Sequence, residues 1–343
     1  MLGFGKTGND RSWIGYAIVI VLLHVLGFVG LSAAAAVSPS FWAVGLLAYT
    51  LGLRHAFDAD HIAAIDNTVR KLVEQRRSPL GVGFYFSLGH SSVVILMVLA
   101  IAFSVQWAEQ RMPQFGEIGG VIGASVSGMF LVLIGVANLF ILLNLLRLFR
   151  EMREGRHREE ELERLLASRG WIARLIKPFY RFISRSWHVY PLGFLFGLGF
   201  DTATEIGLLA IAAGASQSAV SIIGILSFPL LFAAGMSLMD TLDGMFMAKA
   251  YRWAFTTPLR KLYYNVTVTG LSVIVALLIG VVELSQVLSE KLGLEGAFWL
   301  WLAGIEFEYL GYALVVLFVL GWSISLGAWK WLKMDERAGT SAG

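Results

Sequence analysis

His55, Asp58, Asp60 and His61 fall within seven consecutive residues, a density of imidazole and carboxylate that suits metal ligation. Comparable pairs recur downstream. Ser87 and His90 are three apart, Asp201 and Glu205 four apart, and Asp240 and Asp243 three apart, so each pair can share one helix face. Thr202, Thr204, Ser237 and Thr241 lie close by in sequence, and their hydroxyls can orient ligating side chains. The chain has no cysteine, which excludes thiolate metal sites, disulfides and redox dithiols. Imidazole suits Zn, Cu, Fe and Ni, whereas carboxylate alone suits Mg or Mn; the mixed set points to Ni(II), Co(II) or Zn(II). Met236, Met239, Met245 and Met247 could offer thioethers to Cu(I), but they read as gap-filling residues of a helix.

The chain that must position these groups is 343 residues long, 57% hydrophobic and 15% charged, against roughly 25% charged in an ordinary soluble domain. That balance argues against a water-soluble enzyme. Asp, Glu, Lys and Arg are absent from residues 12–53, 78–108, 118–146, 206–239, 262–282 and 309–329, and each stretch reaches the ~20 residues that cross a bilayer. Cutting at charge clusters, proline and glycine predicts an all-α polytopic membrane protein, a bundle of about eight transmembrane helices. These run near 13–36, 41–65, 82–106, 117–146, 190–213, 219–248, 260–284 and 298–329. The expected organisation is helices 1–4 in 1–146, a basic cytoplasmic loop in 147–188, helices 5–8 in 189–331 and a cytoplasmic tail in 332–343.

The first apolar run follows Lys6 and Arg11 as a signal peptide would, but it is longer than a signal core and reads as a retained helix. With the N-terminus inside, the inner segments carry twenty-four of the 27 Lys and Arg residues, and the outer loops only Arg111 and Lys291. The positive-inside rule then puts both termini in the cytoplasm. The basic loop reads as a solvated amphipathic segment near anionic lipid, so the expected partners are an ion and the bilayer, with no nucleic acid. Oligomeric state is left open.

Six carboxylates, on Asp58, Asp60, Asp201, Glu205, Asp240 and Asp243, fall inside the spans. At about 2.5–3.5 kcal/mol each, they would cost about 15–21 kcal/mol together. Arg54 is the one intramembrane base available to offset them, so protons, water or a bound cation must supply the rest. His24, His55, His61 and His90 also fall inside spans. On a regular helix Arg54, His55, Asp58 and His61 share a face and Asp60 points elsewhere; Arg54 and Asp58 have ion-pair spacing. His55 and His61 would stand about 9 Å apart along the axis, too far to share one ion unless the helix is unwound there or each binds with groups from other helices. Residues 52–61 (GLRHAFDADH) can be laid over 235–244 (GMSLMDTLDG), and 197–206 (GLGFDTATEI) echoes them, which suggests a duplicated ancestor.

Residues 54–62 (RHAFDADHI), 86–93 (FSLGHSSV), 198–206 (LGFDTATEI) and 235–244 together resemble the four signatures of the nickel/cobalt transporter family, NiCoT. The resemblance spans most of the membrane domain. It implies an eight-helix inner-membrane permease that takes up Ni(II) or Co(II) without ATP, with no cofactor, the metal being the substrate. It ties transport to His55, Asp58, Asp60 and His61, and matches His90, Asp201, Glu205, Asp240 and Asp243 to the remaining motifs. A polar residue of the first helix influences metal choice in that family, and His24 is the candidate here. Arg54, Ser87, Thr202, Thr204 and Thr241 fill supporting roles.

Two other classes compete. An intramembrane metal-dependent hydrolase would also collect His and Asp, but no His-Glu-x-x-His or Gly-x-Ser-x-Gly motif is present. A metal exporter could share the ligand set; the long loop, however, holds just His157 and His188, which favours import. Glu306 and Glu308 read as interfacial, beside an aromatic belt of Trp299, Trp301 and Tyr309.

Overall fold

A computed structural model describes residues 12–103, 105–153, 183–199, 203–218, 220–254, 258–305 and 307–331. Among them the regular structure is helical: α1 (Ser12–Ala35), α2 (Phe41–His55), α3 (Ala59–Glu74), α4 (Val82–Phe103), α5 (Val105–Arg153), a 3-10 turn (Ser186–Val189), α6 (Tyr190–Phe196), α7 (Ala203–Ser216), α8 (Ile222–Ala254), α9 (Pro258–Leu292), α10 (Ala297–Ala303) and α11 (Phe307–Trp331). Five stretches of these helices are long and apolar enough to cross a bilayer: Trp13–Ala35, Val82–Phe103, Glu117–Phe140, Ile222–Tyr251 and Thr269–Leu292. Helix α1 leaves Ile18, Val21, Leu22, Val25 and Val29 exposed, a continuous apolar surface that water would penalise and lipid would not. The fold is that of an all-α, multi-pass membrane protein.

Three of the expected spans, 41–65, 190–213 and 298–329, are each two helices. The stretch 41–65 is interrupted at 56–58, where the Phe57 N–H donates to the Arg54 carbonyl at 2.9 Å, three residues back, tightening the last turn of α2. Asp58 is then extended (φ −63°, ψ 141°), and its carbonyl accepts the Ile62 N–H at 3.2 Å to open α3. Aspartate is a favoured residue at a helix start, and Asp60 in the first turn adds negative charge where the helix dipole is positive. The stretch 190–213 also holds two helices. Helix α6 ends at Phe196, and the N–H groups of Leu198 and Gly199 reach back three residues to Leu195 and Phe196. Helix α7 begins at Ala203.

The chain divides into two compact units, each drawing on segments from both sides of the polar stretch 147–188. The first comprises 1–57, 76–127 and 185–245. In it α4 packs along α6 and α7, and α2 along α1 and α7, over a core that includes Leu31, Ala48, Val94, Leu208, Phe228 and Phe232. Backbones meet directly at glycines. A Cβ at Gly52 would sit 2.1 Å from the Phe232 carbonyl oxygen, one at Gly83 1.8 Å from that of Asp240, and one at Gly193 2.0 Å from that of Phe86. Such small-residue contacts are how helices associate where lipid removes the hydrophobic drive between them.

The second unit comprises 58–75, 128–184 and 246–343. Helix α3 packs there on α9 and α11, with every side chain from His61 to Leu72 buried. Arg70 and Lys71 fall in the inner segment expected between the spans 41–65 and 82–106. Both instead lie buried on α3, because the helix that restarts at Asp58 runs on to Glu74, beyond the end expected at 65.

Candidate metal site

Within the first unit, three helices bring the predicted ligands together. His55 is the last residue of α2, His90 lies inside α4, and Thr204 and Glu205 open α7. The Nε2 atoms of His55 and His90 are 2.9 Å apart, and His90 Nε2 is 2.8 Å from Glu205 Oε1. Thr204 Oγ1 lies 3.0 Å from His55 Nδ1, holding the far side of that ring. All four side chains are buried, Glu205 completely. The Phe232 ring, 5.5 Å from the His55 ring, forms an apolar wall.

Close backbone packing fixes these positions. Gly52 sits against Phe232 one turn before His55, and Gly197 sits against the His90 carbonyl, so neither site could accept a larger residue without displacing an imidazole. Two imidazole nitrogens and a carboxylate oxygen this close can share a proton or ligate one cation. Both uses require the donors to be held off water, and burial does that.

The other predicted residues fall as follows. Ser87 Oγ, one turn before His90, lies 3.0 Å from both the Phe84 carbonyl oxygen and Ser237 Oγ on α8, with its one hydrogen to give to either. Asp240 and Thr241, one turn beyond Ser237, are buried, while Asp243 is half-buried. Met236 and Met239 belong to the apolar core of this unit, in keeping with packing. His24 on α1 is held by the Ile20 carbonyl (2.8 Å) and the Tyr49 hydroxyl (3.2 Å). That places it beside Tyr49 of α2. Arg54 is half-buried at the end of α2. Asp201 and Thr202 lie outside the described residues.

Asp58, Asp60 and His61 belong to the second unit. Asp58 and His61 are buried, and Asp60 Oδ1 accepts the His61 N–H at 2.9 Å. The face shared by His55, Asp58 and His61 on a regular helix does not exist, because the extended Asp58 breaks the 100° progression between them. The second unit also holds a polar set that the sequence reading passed over, Asp66, Asn67, Arg70, Asn138, Tyr251 and Ser272, all buried. The available signal was Asp66, Asn67 and Arg70 at spacings of one and four on a helix.

Residues 41–327 match the NicO family, described as high-affinity nickel-transport protein. The chain belongs to the NicO family. It is 58% identical over 330 residues to the nickel transporter NixA of Staphylococcus aureus, covering 96% of this chain and 98% of that protein. It is 55% identical over 326 residues to the high-affinity nickel-transport protein NixA of Helicobacter pylori strain J99, with 93% and 97% covered. It is also 41% identical over 332 residues to the cobalt transport protein NhlF of Rhodococcus rhodochrous, with 95% and 94% covered. No solved structure matches the chain. As a NicO protein it is a transport protein rather than an enzyme, and the resemblance read from its four motifs identifies the same class.

Proposed function

We propose that this NicO protein is a secondary transporter that takes up Ni(II), with Co(II) as a related cargo, across the bacterial cytoplasmic membrane by alternating access. The observation that carries the reading is the convergence of His55 Nε2, His90 Nε2 and Glu205 Oε1 at 2.9 and 2.8 Å. A set of two imidazoles and a carboxylate suits a first-row divalent ion such as Ni(II) or Co(II).

In this reading His61, on α3 of the second unit, is also a metal ligand during transit. Thr204 orients His55, and Ser87 and Thr241 support the polar walls. Asp58, Asp60, Asp201, Asp240 and Asp243 complete the ligand and approach set, His24 and Arg54 tune it, and the metal is substrate rather than cofactor. Eight crossings follow if the pairs α2–α3, α6–α7 and α10–α11 each make one interrupted span, a construction common at transporter sites. The distribution of Lys and Arg supports cytoplasmic termini. An inside-negative potential contributes ~2.3 kcal/mol per charge per 100 mV, hence ~4.6 kcal/mol for a divalent ion, which is on the order of a thousandfold accumulation without ATP.

The test is radiolabelled nickel uptake by cells expressing His55→Gln, His90→Gln or Glu205→Gln, with transporter amount in the membrane measured in parallel. At least a hundredfold loss at normal protein amount is expected from each histidine variant. Wild-type uptake by all three would remove the transit site. Cells that lose nickel and gain resistance on expression would reverse the direction to export.

A further inference from the structure

The buried polar set of the second unit serves neither lipid packing nor, in the reading above, the ion directly, yet its members are hydrogen-bonded to one another. Asp66 accepts the Tyr251 hydroxyl on Oδ1 and the Ser272 hydroxyl on Oδ2, the latter at 2.7 Å. Its neighbour Asn67 accepts from Asn138 Nδ2 at 2.7 Å and from Arg70 Nη2 at 3.1 Å, and donates to the Ala63 carbonyl at 2.7 Å. Asn138 comes from α5, Tyr251 from α8 and Ser272 from α9, so one face of α3 is tied to three other helices.

That face has a definite relation to the ligands at the start of the same helix. Taking His61 as zero and 100° per residue, Asp66 lies at about 140°, Arg70 at about 180° and Asn67 at about 240°. The tied face is therefore opposite His61. In a membrane, hydrogen bonds between helices add to van der Waals packing in fixing how one helix sits against its neighbours. A slip of one residue would swing His61 by about 100°.

We infer that Asp66 and Asn67, with Tyr251, Ser272 and Asn138, form a positioning clasp that sets the rotation and height of α3 and so aims His61 at the transported ion. The inference rests on the reading of His61 as a ligand. A second cation site is the weaker account of these residues, because both Asp66 oxygens already hold hydroxyls and the Arg70 charge acts on the same carboxylate.

The test compares Tyr251→Phe and Ser272→Ala with the conservative Ser272→Thr, which keeps a hydroxyl. The readouts are half-saturation for nickel uptake, maximal rate per transporter, and the ratio of Co(II) to Ni(II) needed for equal inhibition. Loss of a hydroxyl is expected to raise half-saturation three- to tenfold and to narrow the cobalt-to-nickel ratio, with maximal rate within twofold and Ser272→Thr close to wild type. Unchanged half-saturation and ratio at normal protein amount would overturn the clasp. Should Tyr251→Phe lower protein amount, calorimetry of nickel binding to the purified folded fraction decides, and normal affinity there also overturns it. His61→Asn separates the two layers: wild-type uptake by that variant removes the ligand reading itself, whereas its loss alongside an unaffected Tyr251→Phe removes the clasp alone.

Discussion

Replacing Thr204 by valine isolates one hydrogen bond at the candidate site. Valine keeps the branched shape and nearly the volume of threonine, so the packing of α7 is preserved and the hydroxyl 3.0 Å from His55 Nδ1 is exchanged for a methyl group. His55 is 2% exposed, so Nδ1 has no water to turn to. The cost is then closer to that of an unsatisfied buried polar atom, about 1–3 kcal/mol, than to the smaller net worth of an exchanged bond. At 1.4 kcal/mol per factor of ten, that is about five- to hundredfold in affinity, in line with the effect of removing a partner that orients a metal-bound imidazole. Nickel uptake kinetics at matched transporter amount should show half-saturation raised roughly tenfold in Thr204→Val and within about twofold of wild type in Thr204→Ser. A valine variant with wild-type half-saturation refutes the orienting role. A serine variant as impaired as valine refutes it too, since the missing group would then be the methyl.

Two further outcomes follow from the same geometry. Gly83→Ala should cost about 1–3 kcal/mol of stability, because its Cβ would stand 1.8 Å from the Asp240 carbonyl oxygen, whereas Gly120→Ala, with nothing within 4 Å, should leave thermal unfolding of the purified protein unchanged. Nickel binding should release at least one proton, because donors 2.8 and 2.9 Å apart must share a hydrogen before an ion replaces it; calorimetry in buffers of differing ionisation enthalpy measures this, and a binding enthalpy independent of buffer refutes it.

Much of the site was legible because side-chain type and depth carry the argument. His55, His90, Thr204 and Glu205 are polar groups in charge-free or nearly charge-free stretches, and only mutual partnership makes that tolerable. The interruption at 56–58 was legible only as one of two alternatives left by the ~9 Å rise between His55 and His61, since His-Ala-Phe-Asp-Ala-Asp-His contains no proline or glycine and reads as helix residue by residue. Its one local sign is Asp58, a favoured helix-start residue followed by an acidic first turn. Helix α3 was cut short at 65 because Arg70 and Lys71 looked like loop charges, and the Asp66 network was missed with them. Of the internal echoes, 52–61 and 197–206 both fall where a helix stops and restarts, whereas 235–244 lies within the unbroken α8. Shared local geometry thus favours the first pairing over the second.

The glycine contacts of α4 have a mechanical corollary. At Gly83 the neighbouring main chain is that of α8, and at Gly89, Gly193 and Gly197 the main chains of α4 and the α6 segment meet without side chains between them. Surfaces meshed so closely lack the cushion that lets helices glide. Any movement of α4 would therefore carry the α6 segment with it as one stiff strut, the His90 imidazole near its middle included.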